Sequence, residues 1–414
     1  MASPPTKHFV RSVSSIAELS AKSWNACANP NPKTYNPFVS YHFLNALEKS
    51  KSVCKKTGWM PCHLALSAED TAMQNSEENN QDTILGVMPC YIKSHSYGEY
   101  IFDHAWAELY MRLHKQYYPK LQCAIPFTPA TGPRLLTPAN PNQKKHQKSL
   151  AAAAIQLVEK LDISSFHCTF LNEQEHTIMS EMGFLTRHSQ QFHWHNNAYK
   201  TFDEFLATLS SRKRKTIRKE RREAQNNNIT IKWLTGSDLQ ENHWDHFYEF
   251  YLDTSSRKWG QAYLTREFFS HINETMRDQI LLILCHRGDK IIAGALNFIG
   301  GDTLYGRNWG AIEDHKFLHF EACYYQAIDF AIQNGLSRVE AGAQGAHKLA
   351  RGYVPTLTYS THYITNPELR HVIARYLEHE KDHIAFENNI LSTHTPYAQK
   401  PDVSTTCQRT NKND

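Results

Sequence analysis

Apolar side chains fall at helical spacing at Phe38, Tyr41, Phe43, Leu44 and Leu47, behind an Asn36-Pro37 start signal, and predict a short helix. Strand-type runs follow at His63–Ser67 and Thr83–Tyr91, with a third near Tyr97–Phe102. The apolar-poor Glu69–Asp82 reads as a hairpin loop between the first two. Ala105–Tyr117 and Ala151–Lys160 have helical patterns, and Pro119, Pro126, Pro129 and Pro133 mark loops between them. Strand Phe166–Leu171, a short helix and strand Phe184–Trp194 complete the first half. In the second half Phe202–Leu209 and Ser211–Ala224 read as helices, Ile229–Leu234 as a strand, and Trp244–Ser255 and Thr265–Met276 as helices. Strands Ile280–His286, Lys290–Ile299 and Thr303–Trp309 follow, joined at Arg287-Gly288-Asp289 and Gly300-Gly301-Asp302, good hairpin chemistry. Helix Phe320–Gln333 ends before Gly335, Ser337–Ala341 is a buried-type strand, and Asn366-Pro367-Glu368 opens a long last helix.

The halves echo one another. The stretch LALS…ILGVMPCYI…YGEYIFDHAW resembles LILC…IIAGALNFI…LYGRNWG, each strand, turn, strand, turn, strand. This predicts two mixed α/β units, 8–195 and 196–392, followed by a polar, disordered tail over 393–414.

At 414 residues the chain is long enough to bury cores without disulfide or metal staples. With 41% hydrophobic and 21% charged residues it is neither disordered nor a coiled coil. It has no run of 18 apolar residues and no apolar leader, so neither a membrane span nor a signal peptide is expected. Nine cysteines at scattered spacings read as free thiols of a cytoplasmic protein. The net charge of +4 is concentrated: Ser211–Ala224 holds eight basic and two acidic residues, leaving 37 basic against 39 acidic elsewhere.

Three segments hold candidate chemistry. Arg212, Lys215, Lys219 and Arg222 share one face of the basic helix, either as a solvated surface or as a clamp for the phosphates of a nucleic acid or nucleotide cofactor. The run RVEAGAQGAHKLARGY puts Glu340 at a strand end, then a turn with Gly342 and Gly345, then His347, Lys348 and Arg351. Glycine turns of this kind bring backbone N–H groups to a ligand. Glu321 sits one turn into an otherwise apolar helix, where burial would raise its pKa toward that of a general base. The loops Tyr117–Leu121 and Ile125–Arg134, dense in proline, read as stiff connections able to wall a substrate. The pairs His193/His195 and His243/His246 lack matching Cys or carboxylate ligands, so no metal is expected. Hydrolase, NTPase, kinase and dinucleotide motifs are absent.

The runs YYPKL, PFTPATGPRLL, SRKRKTIRKERREA, LYGRNWGA and KFLHFEACYYQAIDFAIQNGLSRVEAGAQGAHKLARGY together resemble the FemAB-like predicted N-acyltransferases of the GNAT superfamily, from about Asn36 to Ile390. The resemblance implies tandem GNAT-like domains and an N-acyltransferase taking its acyl group from acyl-CoA or aminoacyl-tRNA to an amine acceptor, tRNA being a possible partner. For that reaction the candidates in this chain are Glu321 or Glu340 as base, His347, Lys348 and Arg351 binding an anionic donor or acceptor, and Tyr305, Arg307 and Trp309 lining the cleft. Asp314-His315-Lys316-Phe317 stands where a GNAT pyrophosphate loop would be, a departure that keeps the tRNA donor open. The other class is a non-catalytic GNAT-like module that binds nucleic acid or a cell-wall precursor.

Overall fold

The computed structural model describes residues 8–68, 83–258, 262–342 and 345–398. The expected Glu69–Asp82 loop and the tail beyond 398 lie outside the described residues.

The first half contributes strands β1 (His8–Val13), β2 (Trp59–Pro61), β3 (His63–Ala68), β4 (Thr83–Met88), β5 (Cys90–Lys93), β6 (Lys120–Cys123), β7 (Ser165–Leu171) and β8 (Leu185–His195). The second contributes β9 (Ile229–Leu234), β10 (Ile280–Arg287), β11 (Lys290–Ile299), β12 (Thr303–Ala311), β13 (Arg338–Glu340) and β14 (Val354–Ile364). Eleven of them form one mixed sheet in the order β2-β5-β6-β7-β14-β8-β13-β12-β11-β10-β9, and β1-β3-β4 form a small antiparallel sheet.

The echo between the halves has a topological counterpart. β6 runs parallel to β7, as β12 does to β13. The two last strands are exchanged. β8, from the first half, pairs with β13 through His193, Trp194 and His195. β14, from the second, pairs with β7, and β8 and β14 lie side by side over nine residue pairs. Trp194 is thereby fully buried among Leu304, Val339 and Tyr325 of the second half. A further core joins Phe38 and Phe43 of the first half to Phe268, Phe298 and Tyr305 of the second.

The second-half meander follows its turn chemistry. β10 and β11 close on Gly288-Asp289, with Gly288 at φ 60°. Gly301 packs so tightly on the first half that an added Cβ would lie 2.4 Å from the Lys33 carbonyl oxygen. In the first half the expectation fails at Tyr97–Phe102. Gly98 (φ 81°) and Tyr100 (φ 60°) turn the chain out of the extended region there, and it forms an irregular loop. The Tyr117–Leu121 loop instead runs into strand β6, whose Lys120 is completely buried against Glu99 and Asp103. The start of the expected tail is also structured. Ser210 N–H donates to Pro396 O at 2.9 Å, and the Tyr397 hydroxyl to Gly352 O at 2.7 Å.

The exchanged strands predict that a fragment starting at residue 196 lacks β8, one of the two partners of β13, and with it the Trp194 plug. It should be insoluble or lack a cooperative thermal transition alone, and become soluble when co-expressed with residues 1–195. A cooperative transition of the isolated fragment would refute this.

Candidate active site

β12 and β13 pair only from Thr303–Arg338 to Tyr305–Glu340; beyond that point they separate. Along the opposite edge of β12 the register to β11 shifts. Asn297 lies opposite Gly306 and Leu296 opposite Asn308, so Arg307 is the extra, bulged residue. The separation opens a cavity of about 260 Å³. Its walls come from the first half (Tyr100, Phe127, Pro129), helix Glu241–Lys258 (Tyr251, Thr254, Ser255), the Gly306–Trp309 segment, and His319, Cys323 and Tyr324. Ala341 and Gly342 close it on the β13 side.

The helix that follows β12 starts beyond Phe317 in a left-handed conformation (φ 65°) and runs from Leu318 to Gln333 with a π-helical turn at Glu321–Tyr325. Such a turn widens the helix and re-aims its side chains. His319 packs edge-on against Trp309 at 5.4 Å, and the Tyr324 hydroxyl bonds His347 Nε2 at 2.8 Å. Sequence reasoning passed over His319, Cys323 and Tyr324, although His319 and Cys323 lie four apart and so share a helix face.

Glu321 points the other way. It is completely buried beneath the basic helix, accepting from Arg221 Nη2 at 3.1 Å and Gln326 Nε2 at 2.7 Å. Burial raises its pKa, against the pull of Arg221. Arg351 is likewise taken up by the basic helix. Its Nη2 donates to both oxygens of Glu220 at 2.9 and 3.0 Å, its guanidinium stacks 3.4 Å over Phe320, and Tyr325 also donates to Glu220. The basic helix is therefore held by buried charge pairs on one face, where Ile217 and Ala224 are also buried, while Arg212, Lys215, Lys219 and Arg222 are exposed together on the other.

Glu340 is buried on the opposite face of the sheet from Glu321. Its carboxylate lies 3.3 Å from Arg338 Nε and 3.9 Å from His193 Nε2, and desolvation raises its pKa to about 7. Lys348 does not meet it. The Lys348 ammonium donates to Gly342 O at 2.8 Å, and burial lowers its pKa to about 8. A shared cleft of Glu321, Glu340 and Lys348 is thus excluded by the alternation of side chains across the sheet: Glu340 shares its face with core residue Tyr305, and Glu321 faces the basic helix. Neither carboxylate lines the cavity. Tyr305 belongs to the core, 5.1 Å edge-on from Phe38, whereas Arg307 and Trp309 do line the cavity as expected. His347 reaches it through Tyr324. Among the described residues no group of three His, Cys, Asp or Glu side chains is arranged to hold a metal ion, and no helix is long and apolar enough to cross a membrane.

The sequence profile of the FemAB-like family, described as peptidoglycan biosynthesis/recognition, matches residues 15–399. The crystal structure of FemX superposes with a TM-score of 0.50 at 13% identity, covering 86% of this chain and 98% of the other. L-PGS from Bacillus licheniformis gives 0.46 at 9% identity, with 83% and 98% covered. A tandem GNAT protein from the clavulanic acid biosynthesis pathway gives 0.44 at 8%, with 87% and 99% covered. A search of curated protein sequences finds no match.

Two predictions follow from the charges. Glu220→Ala strands the buried Arg351 and should cost about 3–5 kcal/mol in urea unfolding, whereas Lys215→Ala should stay within about 0.5 kcal/mol; equal costs would refute the anchoring role. The folded pKa of Glu340 lies above its unfolded value of about 4.5. Its contribution is therefore fully present below pH 4.5 and is lost as pH rises through about 7. Glu340→Gln removes that loss, so its stability relative to wild type should rise between pH 5 and 8, by up to about 1.4 kcal/mol per pH unit. A pH-independent difference in urea unfolding would show that the carboxylate is not desolvated.

Proposed function

The chain belongs to the FemAB-like family, and from that premise we propose that it is an N-acyltransferase forming an amide bond in the cleft between β12 and β13. The observation that carries the reading is the separation of these strands beside the Arg307 bulge. The edge of β12 that β13 leaves offers backbone groups to a reactant lying along it. Such fixed dipoles suit the oxyanion of a tetrahedral intermediate. In the reaction the amine nitrogen attacks the donor carbonyl carbon, the carbonyl becomes an oxyanion, and its collapse expels the donor's alcohol or thiol. The amine must first lose a proton.

His319 is the imidazole lining the cleft and takes the role of base in this reading. Glu321 and Glu340 do not, because a base must come within about 3 Å of the proton, directly or through one water, and neither lines the cavity. Positioning supplies the larger share of the rate, up to roughly 7–11 kcal/mol for well-oriented reactants.

The exposed face of Arg212, Lys215, Lys219 and Arg222 supports a polyanionic donor, and aminoacyl-tRNA is the donor of our reading. The helix does not need those four cations to pack, since Glu220 and Arg221 anchor it from the opposite face. The acceptor is an amine of a cell-wall precursor, in keeping with the family's description.

The test is transfer of a radiolabelled amino acid from charged tRNA to an amine acceptor, alongside thiol release from acyl-CoA. Transfer from tRNA alone is expected; thiol release without tRNA transfer would overturn the donor assignment. His319→Gln should lower kcat by about 10²–10⁴-fold while tRNA binding persists. Reversing Arg212 and Lys219 to Glu should weaken tRNA retention on filters and flatten its dependence on log salt by at least about 1.4 units. An unchanged slope would return the helix to a solvated surface.

A further inference from the structure

Arg307 has features that the amide-forming reaction does not call for. The bulge places it outside the β11–β12 register, and bulges of this kind re-aim a side chain. Its guanidinium lines the cavity, donates to Phe127 O, and lies 5.7 Å from the Phe38 ring. Among the described residues, no aspartate or glutamate lines that cavity. The acidic groups that act on Arg307 are the phenols of Tyr100 and Tyr251, and desolvation holds its pKa below the ordinary arginine range. Burial raises the pKa of the Tyr251 phenol, keeping it neutral, and its oxygen is fixed by the N–H groups of Tyr263 (2.9 Å) and Leu264 (3.0 Å). Arg351 and Arg221 have acidic partners in Glu220 and Glu321, and the buried Arg134 is held by the carbonyls of Thr169, Pro133 and Ala130, whereas the half-buried Arg307 donates to the single carbonyl of Phe127. A desolvated cation without a counter-ion is costly. The cost persists where a ligand returns the missing charge.

We propose that Arg307 binds a carboxylate of the amine acceptor, so that the acceptor is an amino acid or a peptide whose carboxylate lies close to its reacting nitrogen. This rests on the acyl-transfer reading and deepens it. The planar guanidinium fork matches a carboxylate with two parallel hydrogen bonds. The stacked rings of Phe127 and Tyr263, 4.9 Å apart and 11° from parallel, flank the same cavity and suit the short apolar stem of such a molecule. The cavity, about 260 Å³ and partly open to solvent, accommodates a small acceptor terminus. A cavity with a fixed positive charge and no acid disfavours a protonated amine, and a neighbouring carboxylate offsets that repulsion as the amine enters.

Binding can be read without turnover. Ligand-observed NMR titrations of the full chain would use alanine, alaninamide and inorganic phosphate as probes. Alanine should bind wild type at least about tenfold more tightly than alaninamide, and Arg307→Gln should abolish the difference. Arg307→Lys, which keeps the charge and loses the fork, should retain only part of it, and serves as the folded control if the Gln variant fails to fold. Equal binding of alanine and alaninamide would overturn the proposal. So would phosphate competing as well as alanine, which would assign Arg307 to a donor phosphate. Failure of acyl transfer with the alanine preference intact would overturn the enzymatic reading and leave the carboxylate site standing.

Discussion

Two parallel strands stay together only while their backbone groups face one another, and β12 and β13 do so over three residue pairs. Everything that makes the second half a site follows from that short ladder. The extra residue at Arg307 bends β12 as its pairing with β13 ends. The gap is then too wide for backbone hydrogen bonds and narrow enough to be walled by the first-half loop at Phe127 and by the π-helical turn at Cys323–Tyr324. A continuous ladder would have filled the same space with core.

The second constraint is electrostatic. A helix with eight cations in fourteen residues lies against an apolar unit without presenting an apolar stripe. It does so because two of its charged residues are turned inward and paired: Glu220 with Arg351, and Arg221 with Glu321 and Asp329. Buried pairs of this kind contribute little net stability but are intolerant of losing one member. They fix the helix in one orientation, with Arg212, Lys215, Lys219 and Arg222 facing out. The same pairs tie the helix to the π-helical turn, which borders the cleft, and to the Ala346–Arg351 segment, whose Lys348 holds the carbonyl of the cleft residue Gly342.

The β9–β12 meander, the long helices and the basic segment were legible because turn chemistry and local periodicity specify them. β6 and β14 were not. Lys120 is a buried charge that breaks the apolar run, and Pro355, Thr356 and Ser360 make β14 read as polar. Their positions depend on partners far along the chain. In the basic helix the outer face of Arg212, Lys215, Lys219 and Arg222 was legible from spacing, and Ile217, Glu220, Arg221 and Ala224 trace the inner face, but its partners Glu321 and Arg351 lie far along the chain. The glutamates attracted attention as bases because burial was foreseen correctly; which face of the sheet each would occupy was not. Arg307 and Trp309 line the cavity; the spacing of His319 and Cys323 signalled their shared helix face, but the π-helical turn that re-aims the His319–Cys323–Tyr324 cluster has no signal in composition.

The exchanged strands have a consequence for biosynthesis. β8 ends at His195, and its neighbour β14 begins only at Val354. At roughly 5–20 residues per second, a ribosome takes about 8–32 s to cover that interval. Throughout it β7 has no partner along the edge that β14 will occupy, and Trp194 has no pocket, since the pocket is made of chain not yet synthesised. The nascent first half is thus an unfinished sheet with an open edge, a form prone to pairing with other chains. Its folding is completed by β14, the last strand among the described residues, so the two halves mature together and the yield of native chain depends on how well that edge is guarded while it waits.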